Sequence, residues 1–271
     1  MMNKIFFIIF SYGLINASIL TNKIENFIGQ KEYKTHSRLI NNIFHNKSSF
    51  IVNDQINYLK VFKLLRSNGL MNLKLDKAQK INISFKVKDN YLNAYKILYN
   101  SIQSLGYRHV ITKSLQINDN NEMQWIISFK TEYMLNSYLL IKELKKNNCK
   151  VEDIVKDGNN HWIYKLNFNN SYISTAKSIP SYERIIFSKP LNPIFVKIKN
   201  NKNIEIISRV LNRWHPHIIF YDKNLQNLKI YKGNAVSKKL KMNIPNETKY
   251  IMISDIYNLV NIKRGLTVIV R

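Results

Sequence analysis

At 271 residues, with 45% hydrophobic and 12% aromatic residues, the chain carries enough apolar material for one or two buried cores, which excludes wholesale disorder. Its 42 Lys and Arg against 17 Asp and Glu give a net charge of +25, which favours polyanionic partners such as nucleic acid, anionic lipid, acidic polysaccharide or an acidic protein face. The single cysteine, Cys149, excludes an internal disulfide and is expected as a buried thiol rather than a nucleophile.

The charge has a second origin open to it. Lys far outnumbers Arg, Asn and Ile abound, and Gly and Pro number only 7 and 5, as drift toward AT-rich codons would produce on any surface. Charge alone therefore does not separate a selected polyanion surface from an inherited one.

Residues 1–18 read as a secretory signal peptide. Met1-Met2-Asn3-Lys4 is basic, Ile5 to Ile15 is apolar, and small residues Ala17 and Ser18 follow. The run is shorter than the roughly 20 residues a spanning helix needs, and no later stretch approaches that length. The expected address is the periplasm, with no transmembrane segment in the mature chain.

Residues 19–72 are expected to be helical. Apolar stripes run through Ile24, Phe27 and Ile28, then Leu39, Ile40, Ile43 and Phe44, then Ile56, Leu59, Phe62, Leu64 and Leu65, with a stop at Asn68-Gly69. Residues 73–170 change period. Ile81, Ile83, Phe85 and Val87 alternate as a half-buried strand. A helix follows with Leu92, Tyr95, Leu98, Ile102 and Leu105 on one face, capped by Asp89 or Asn90 and closed by Gly106. Two strands flank a turn at residues 118–121. A second helix shows Leu135, Tyr138, Leu139, Ile141 and Leu144. Strands at Val151–Val155 and Trp162–Phe168 then flank the turn at residues 157–160. The order β-α-β-β-α-β plus one strand gives a ferredoxin-like α+β domain as the expectation. Ile83-Ser84-Phe85-Lys86 recurs as Ile127-Ser128-Phe129-Lys130, which suggests a duplicated β-α-β unit with exposed sheet edges for partner strands.

Residues 171–193, with Pro180, Pro190 and Pro193, read as a linker. Residues 194–271 show seven short strands with turn residues between them, the pattern of a C-terminal antiparallel β-sandwich. The pieces from Phe220 to Leu225 and from Ile244 to Ile251 loosely resemble jelly-roll modules appended to bacterial secreted proteins. The whole chain resembles uncharacterised periplasmic proteins of campylobacter-like bacteria, through Ser67-Asn68-Gly69-Leu70, Leu105-Gly106-Tyr107, Arg213-Trp214-His215-Pro216 and Ile253-Ser254-Asp255-Ile256-Tyr257. That resemblance implies a periplasmic address and no particular activity.

The densest candidate site is Arg209 to His217 with Tyr221 and Asp222. Arg209, Arg213, Trp214, His215 and Tyr221 form the expected binding patch, able to stack on a sugar or clamp an acidic group. His215 and His217, two apart, could join Asp222 or Asp255 around Zn²⁺, although nothing in the spacing fixes a third ligand. The bland alternative puts Trp214 in a seam between domains and Pro216 at the start of an edge strand. No nucleophile elbow, paired carboxylates, or Gly-rich phosphate loop is present, so no cofactor is indicated. Nucleic-acid binding draws on the charge, but Trp162, Tyr164, Leu166 and Phe168 are expected to face helices rather than bases. The resulting expectation is an exported, non-catalytic binding or scaffold protein of the cell envelope, its partner an envelope protein or an anionic cell-wall polymer. A cell-wall hydrolase or metal enzyme centred on His215 and His217, and exported nucleic-acid capture, remain the alternatives.

Overall fold

The computed structural model describes residues 18–271, so the expected signal segment lies outside the described residues except for Ser18, which is helical. The chain divides into two compact units, one ending at Ser171 and the other spanning Tyr172–Arg271. Both are mixtures of strand with helix or turn, and the chain as a whole is α+β.

The N-terminal unit is built on one five-stranded sheet. Its strands are β3 (Lys74–Lys88), β4 (Ile111–Ile117), β5 (Glu122–Tyr133), β6 (Lys150–Asp157) and β7 (His161–Asn167), with the spatial order β4-β5-β3-β7-β6. Helices α5 (Tyr91–Ser104) and α6 (Ser137–Lys146) make the crossovers after β3 and β5. The expected element order is present, but the last strand does not add at the outside. β7 lies parallel to β3 and pushes β6 to the edge. The two recurring segments sit on neighbouring antiparallel strands, with Ile83 opposite Ile127.

The alternation in these strands sorts the sheet into two faces. Ile81, Ile83, Phe85 and Val87 register with Phe129, Ile127, Trp125 and Met123 on one side, and Ile83, Phe85 and Val87 with Trp162, Tyr164 and Leu166 on the other. All are buried. The helices cover this face. Residues 18–28 form α1, whose Phe27 stacks on Trp162 with centroids 5.8 Å apart. Helix α4 (Tyr58–Ser67) supplies Phe62, 4.8 Å from Phe27. The Ser137 hydroxyl of α6 meets the Tyr164 hydroxyl at 2.7 Å. The N-terminal helices therefore belong to the same core as the sheet rather than forming a separate region. Two short helices, α2 (Gln30–Thr35) and α3 (Ser37–Ile43), and the β1–β2 hairpin (Ile51–Val52, Gln55–Ile56) connect α1 to α4.

Helix α5 is rotated from its expected setting. It buries Asn93, Ala94, Ile97, Leu98, Ser101 and Ile102, leaving Leu92 and Tyr95 exposed. Ala94, Ser101 and Asn93 score poorly on hydropathy, yet their small or bonding side chains let the helix approach closely. The expected stops hold at both ends of the N-terminal helix–sheet junctions: Gly69 and Gly106 follow α4 and α5 at φ 70° and 93°.

The C-terminal unit contains two sheets. Strands β8 (Lys177–Ser178), β10 (Ile194–Lys197), β12 (Pro216–Tyr221), β13 (Asn227–Lys232) and β15 (Tyr250–Asp255) form one, in the order β13-β12-β15-β10-β8. Strands β9 (Arg184–Phe187), β11 (Asn203–Ser208), β14 (Lys239–Asn243) and β16 (Leu266–Val270) form the other, ordered β14-β11-β16-β9. Val196, Ile218, Phe220, Ile251 and Ile253 from the first meet Ile204, Ile206, Leu266, Val268 and Val270 from the second in one buried cluster. Every pairing is antiparallel except β8 with β10 and an isolated bridge between Ser181 and Val270. The stretch expected as a linker thus supplies a strand to each sheet. β8 and β9 are so short, and so broken by Pro180 and Pro190, that no alternation marks them.

Among the described residues, no helix is long and apolar enough to cross a membrane.

Candidate functional site

The expected patch does not stay together. Strand β12 and the extended residues before it bury Trp214, Pro216, Ile218 and Phe220, and leave His215, His217, Ile219 and Tyr221 half-buried. Trp214 is fully buried in the core of the C-terminal unit, where its Nε1 donates to the Ser254 carbonyl at 2.9 Å. It fills that core rather than a seam and has no face free for a ligand. Pro216 does open a strand, but β12 is internal, flanked by β13 and β15. Tyr221 stands at the far end of the strand, beside Phe195 and Met252, away from Arg213, which precedes the strand. Arg213 is exposed and outside the groove described below.

The metal reading fails on the same geometry. Asp222 is tied up at the β12–β13 turn, where its Oδ1 accepts the Asn224 and Gln226 N–H groups at 2.8 Å each. Burial, then the nearby Lys232, hold the His217 pKa below its ordinary value. Among the described residues no three His, Cys, Asp or Glu side chains gather as a metal site.

Arg209 alone reaches a cavity. It lines an open groove of about 1400 Å³ whose walls are Ser188–Leu191, Ile207–Val210 and Tyr257–Val260, with Lys263, Arg264 and Thr267. Four cations line it, Lys189, Arg209, Lys263 and Arg264, and no carboxylate does. None of the four enters an ion pair among the described residues. Leu191, Val210, Tyr257 and Val260 are all exposed along it. Elsewhere in this unit buried Glu205 takes Lys239 at 2.6 Å and Arg271 at 3.0 Å.

The groove is held open by a polar frame. Asp255 is buried at the end of β15, and its Oδ2 accepts the His215 N–H at 2.7 Å. Its Oδ1 accepts the Tyr257 and Asn258 N–H groups and the Asn261 amide, at 2.9, 3.0 and 2.9 Å. Burial pushes this carboxyl up, but the four donors more than offset it and hold the pKa below the ordinary carboxylate value. His215 packs edge-on against Tyr257 with centroids 4.9 Å apart. His215 is thus a support for the groove wall, not a ligand. On the facing side, the Asn212 amide donates to the Gly265 carbonyl at 2.9 Å and its Oδ1 accepts the Arg264 N–H at 3.1 Å. Gly265 sits at φ 102°, where an added Cβ would lie 2.6 Å from the Phe187 carbonyl oxygen. Sequence reasoning missed Lys189, Tyr257, Lys263 and Arg264, which lie in two connections far apart in sequence, β9–β10 and β15–β16. Their one shared signal is a run of basic and apolar residues without acids.

A second cluster appears on the uncovered face of the N-terminal sheet. Ser84 Oγ lies 2.7 Å from His161 Nε2, and His161 Nδ1 lies 3.3 Å from Asp157 Oδ2. This is the connectivity of a serine hydrolase triad. Ser84, however, is 1% exposed in the middle of β3, whose backbone pairs on both sides, so no free N–H groups converge to hold an oxyanion. The cluster satisfies buried polar groups rather than building a nucleophile. Cys149 is likewise inert, buried with its thiol pKa pushed up to about 12. The aromatics that might have stacked bases, Trp162 and Tyr164, face the helices.

No family model matches the chain, and no solved structure matches it. Among curated proteins, the chain is similar to the RecBCD enzyme subunit RecC of Buchnera aphidicola subsp. Baizongia pistaciae, 25% identical over 224 residues. That alignment takes in 81% of this chain but only 18% of the relative's length.

Proposed function

We propose that the chain is an exported, periplasmic binding or scaffold protein of the cell envelope that holds an anionic polymer in the groove of its C-terminal unit. One observation carries this reading: four cations line an open, partly apolar groove that no carboxylate enters. Guanidinium groups at Arg209 and Arg264 suit phosphate, sulfate or carboxylate oxygens, and Tyr257, Val260 and Leu191 suit the apolar faces of a chain between its charges. The basic, apolar, then small-residue start of the sequence supports export. In this reading the N-terminal unit is a ferredoxin-like fold with β7 inserted, and the C-terminal unit is a β-sandwich.

The test is binding of fluorescent dextran sulfate, with neutral dextran as the control. The triple variant Arg209→Glu, Lys263→Glu, Arg264→Glu should bind on the order of 10–100-fold more weakly, since each reversal removes an exposed attraction and adds a repulsion of roughly similar size. Unchanged affinity in the folded variant would end the reading. Release of the protein by osmotic shock, with a mature N-terminus near Ser18, tests export.

Exported nucleic-acid capture is the second reading, and the same cations support it. It requires single-stranded DNA to compete with dextran sulfate, with affinity falling steeply with salt.

A further inference from the structure

The two edges of the N-terminal sheet are treated oppositely. Edge strand β6 is closed by α1. The Asn26 side chain donates to the Lys156 carbonyl and accepts the Lys156 N–H, both at 2.9 Å. Lys23 donates to the Ile154 carbonyl at 2.9 Å and pairs with Asp153 at 2.6 Å. This is how natural sheets blunt an edge. At the other end, among the described residues, β4 has no strand beyond it.

Strand β4 is also unusually apolar for an open edge. Ile111, Leu115 and Ile117 are 67%, 49% and 55% exposed. Leu115 and Ile117 register with buried Trp125 and Met123, so they extend the helix-covered face of the sheet outward. Helix α5 continues that surface. Leu92, Tyr95 and Tyr99, spaced along one side of the helix, are all exposed, and the Tyr95 ring lies 5.0 Å from Trp125. Tyr91 of the same helix donates to the Asn121 carbonyl in the β4–β5 turn, which fixes the helix beside the strand. The ladder is irregular between Thr112 and Ser114, leaving Ser114–Ile117 as the regular edge.

We propose that Ser114–Ile117 accepts an extended segment of a partner protein as an added strand, beneath Leu92, Tyr95 and Tyr99, and that this segment alternates apolar with acidic residues. Backbone pairing to the open edge supplies the register. Alternate side chains fall on the apolar strip of Leu115, Ile117 and the three α5 residues. The charge of the partner follows from residues 91–117, which contain Lys96, Arg108 and Lys113 and no Asp or Glu. The uncovered face behind the edge adds Lys80, Lys86 and Lys130 against one acid, Glu122. A second copy of this chain is the wrong occupant, because it would set the same cations and a net +25 against themselves. The inference deepens the scaffold reading and rests on it, but it uses a different unit from the polymer groove, so each can fail alone.

The experiment uses the mature full chain and a short fluorescent peptide alternating Val and Glu, with a Val–Lys peptide as the charge control. Expected are saturable anisotropy with the Val–Glu peptide only, slowed amide exchange at Ser114–Ile117, and loss of about tenfold or more in Leu115→Glu, an exposed and tolerant site. The groove triple variant should keep full peptide affinity. Equal binding of both peptides, binding unchanged in Leu115→Glu, or no binding by folded protein would overturn the proposal. So would a dimer in sedimentation that Leu115→Glu dissolves, since the edge would then belong to a second copy.

Discussion

Replacing Asp255 with Asn keeps the shape of the side chain and removes one acceptor and the charge. In the native protein Oδ2 takes the His215 N–H and Oδ1 takes three donors from the loop that walls the groove. An amide can satisfy only one of these oxygens' roles. With its NH₂ at the Oδ2 position, the His215 bond is lost, about 1.5–3 kcal/mol for a bond to a charged acceptor. The three remaining bonds become neutral and weaken. The sum is about 3 kcal/mol. For a unit of roughly 100 residues, that lowers Tm by roughly 12–24 °C. Differential calorimetry on the full chain reads this directly, with amide exchange at Ile218 and Val268 identifying the transition of the C-terminal unit. Asp222→Asn, which caps only a surface turn, is the control and should shift the transition by a few degrees at most. An Asp255→Asn shift under about 4 °C would mean that the carboxylate is not the frame of this loop. Dextran sulfate binding should weaken with it, since Tyr257 and Val260 hang on the same turn.

Gly265→Ala should destabilise the C-terminal unit by about 2–3 kcal/mol, because the added Cβ meets the Phe187 carbonyl at a positive φ; urea unfolding at unchanged m reads it. Cys149 should react with a soluble disulfide reagent at neutral pH only as fast as the unit opens, so that urea and not reductant sets the rate; prompt reaction of the folded protein would contradict its burial. Acid should weaken the N-terminal unit through Asp153. Burial pushes that carboxyl up, yet hydrogen bonds from Lys23 and Tyr58 hold it below the ordinary value. Its contribution is therefore present above the unfolded pKa near 4 and is lost as pH falls through the lower folded value. The urea midpoint of wild type should fall over that window while Asp153→Asn stays flat, and a midpoint that rises would refute the assignment.

What the sequence makes legible here depends on periodicity and on rare residues. Strands from Ile81 to Val87 and Trp162 to Phe168 announce themselves because one face is apolar without a break. The seven strands after residue 194 do so because turns punctuate them. Strands β8 and β9 are invisible, since two to four residues between prolines carry no period. The setting of α5 is misread because Leu92 and Tyr95 carry more apolar surface than Ala94 and Ser101, whereas the helix buries the small pair and leaves the large pair outside. The binding patch dissolves for a geometric reason: Trp214 is buried in the core of the C-terminal unit while its neighbour His215 packs against Tyr257, so the two cannot serve one ligand. The groove that replaces it is assembled from loops at residues 188–191, 207–210 and 257–264, and their meeting is a tertiary fact with no local trace.

A chain this rich in Lys, Asn and Ile hides its signals in the residues that such a composition does not favour. Of its 7 glycines, six are described and five of these sit at positive φ, where other residues are strained. Two of its three tryptophans, Trp125 and Trp162, anchor the aromatic layer of the N-terminal sheet, and the third fills the C-terminal core. Charge follows the same pattern. A single lysine in this background says less than an arginine, because lysines are scattered over every surface and only a stretch of cations free of acids stands out. Arginine is scarce by comparison, and two arginines, Arg209 and Arg264, line one groove, each fixed by backbone bonds to the Asn212–Gly265 frame and neither matched by an acid. Arg271, by contrast, is spent on Glu205. Drift and selection can each produce a large net charge, but drift by itself does not place arginines on a built frame at the mouth of a groove lined by no carboxylate. That placement is the reason to look for an anionic ligand there rather than over the surface at large.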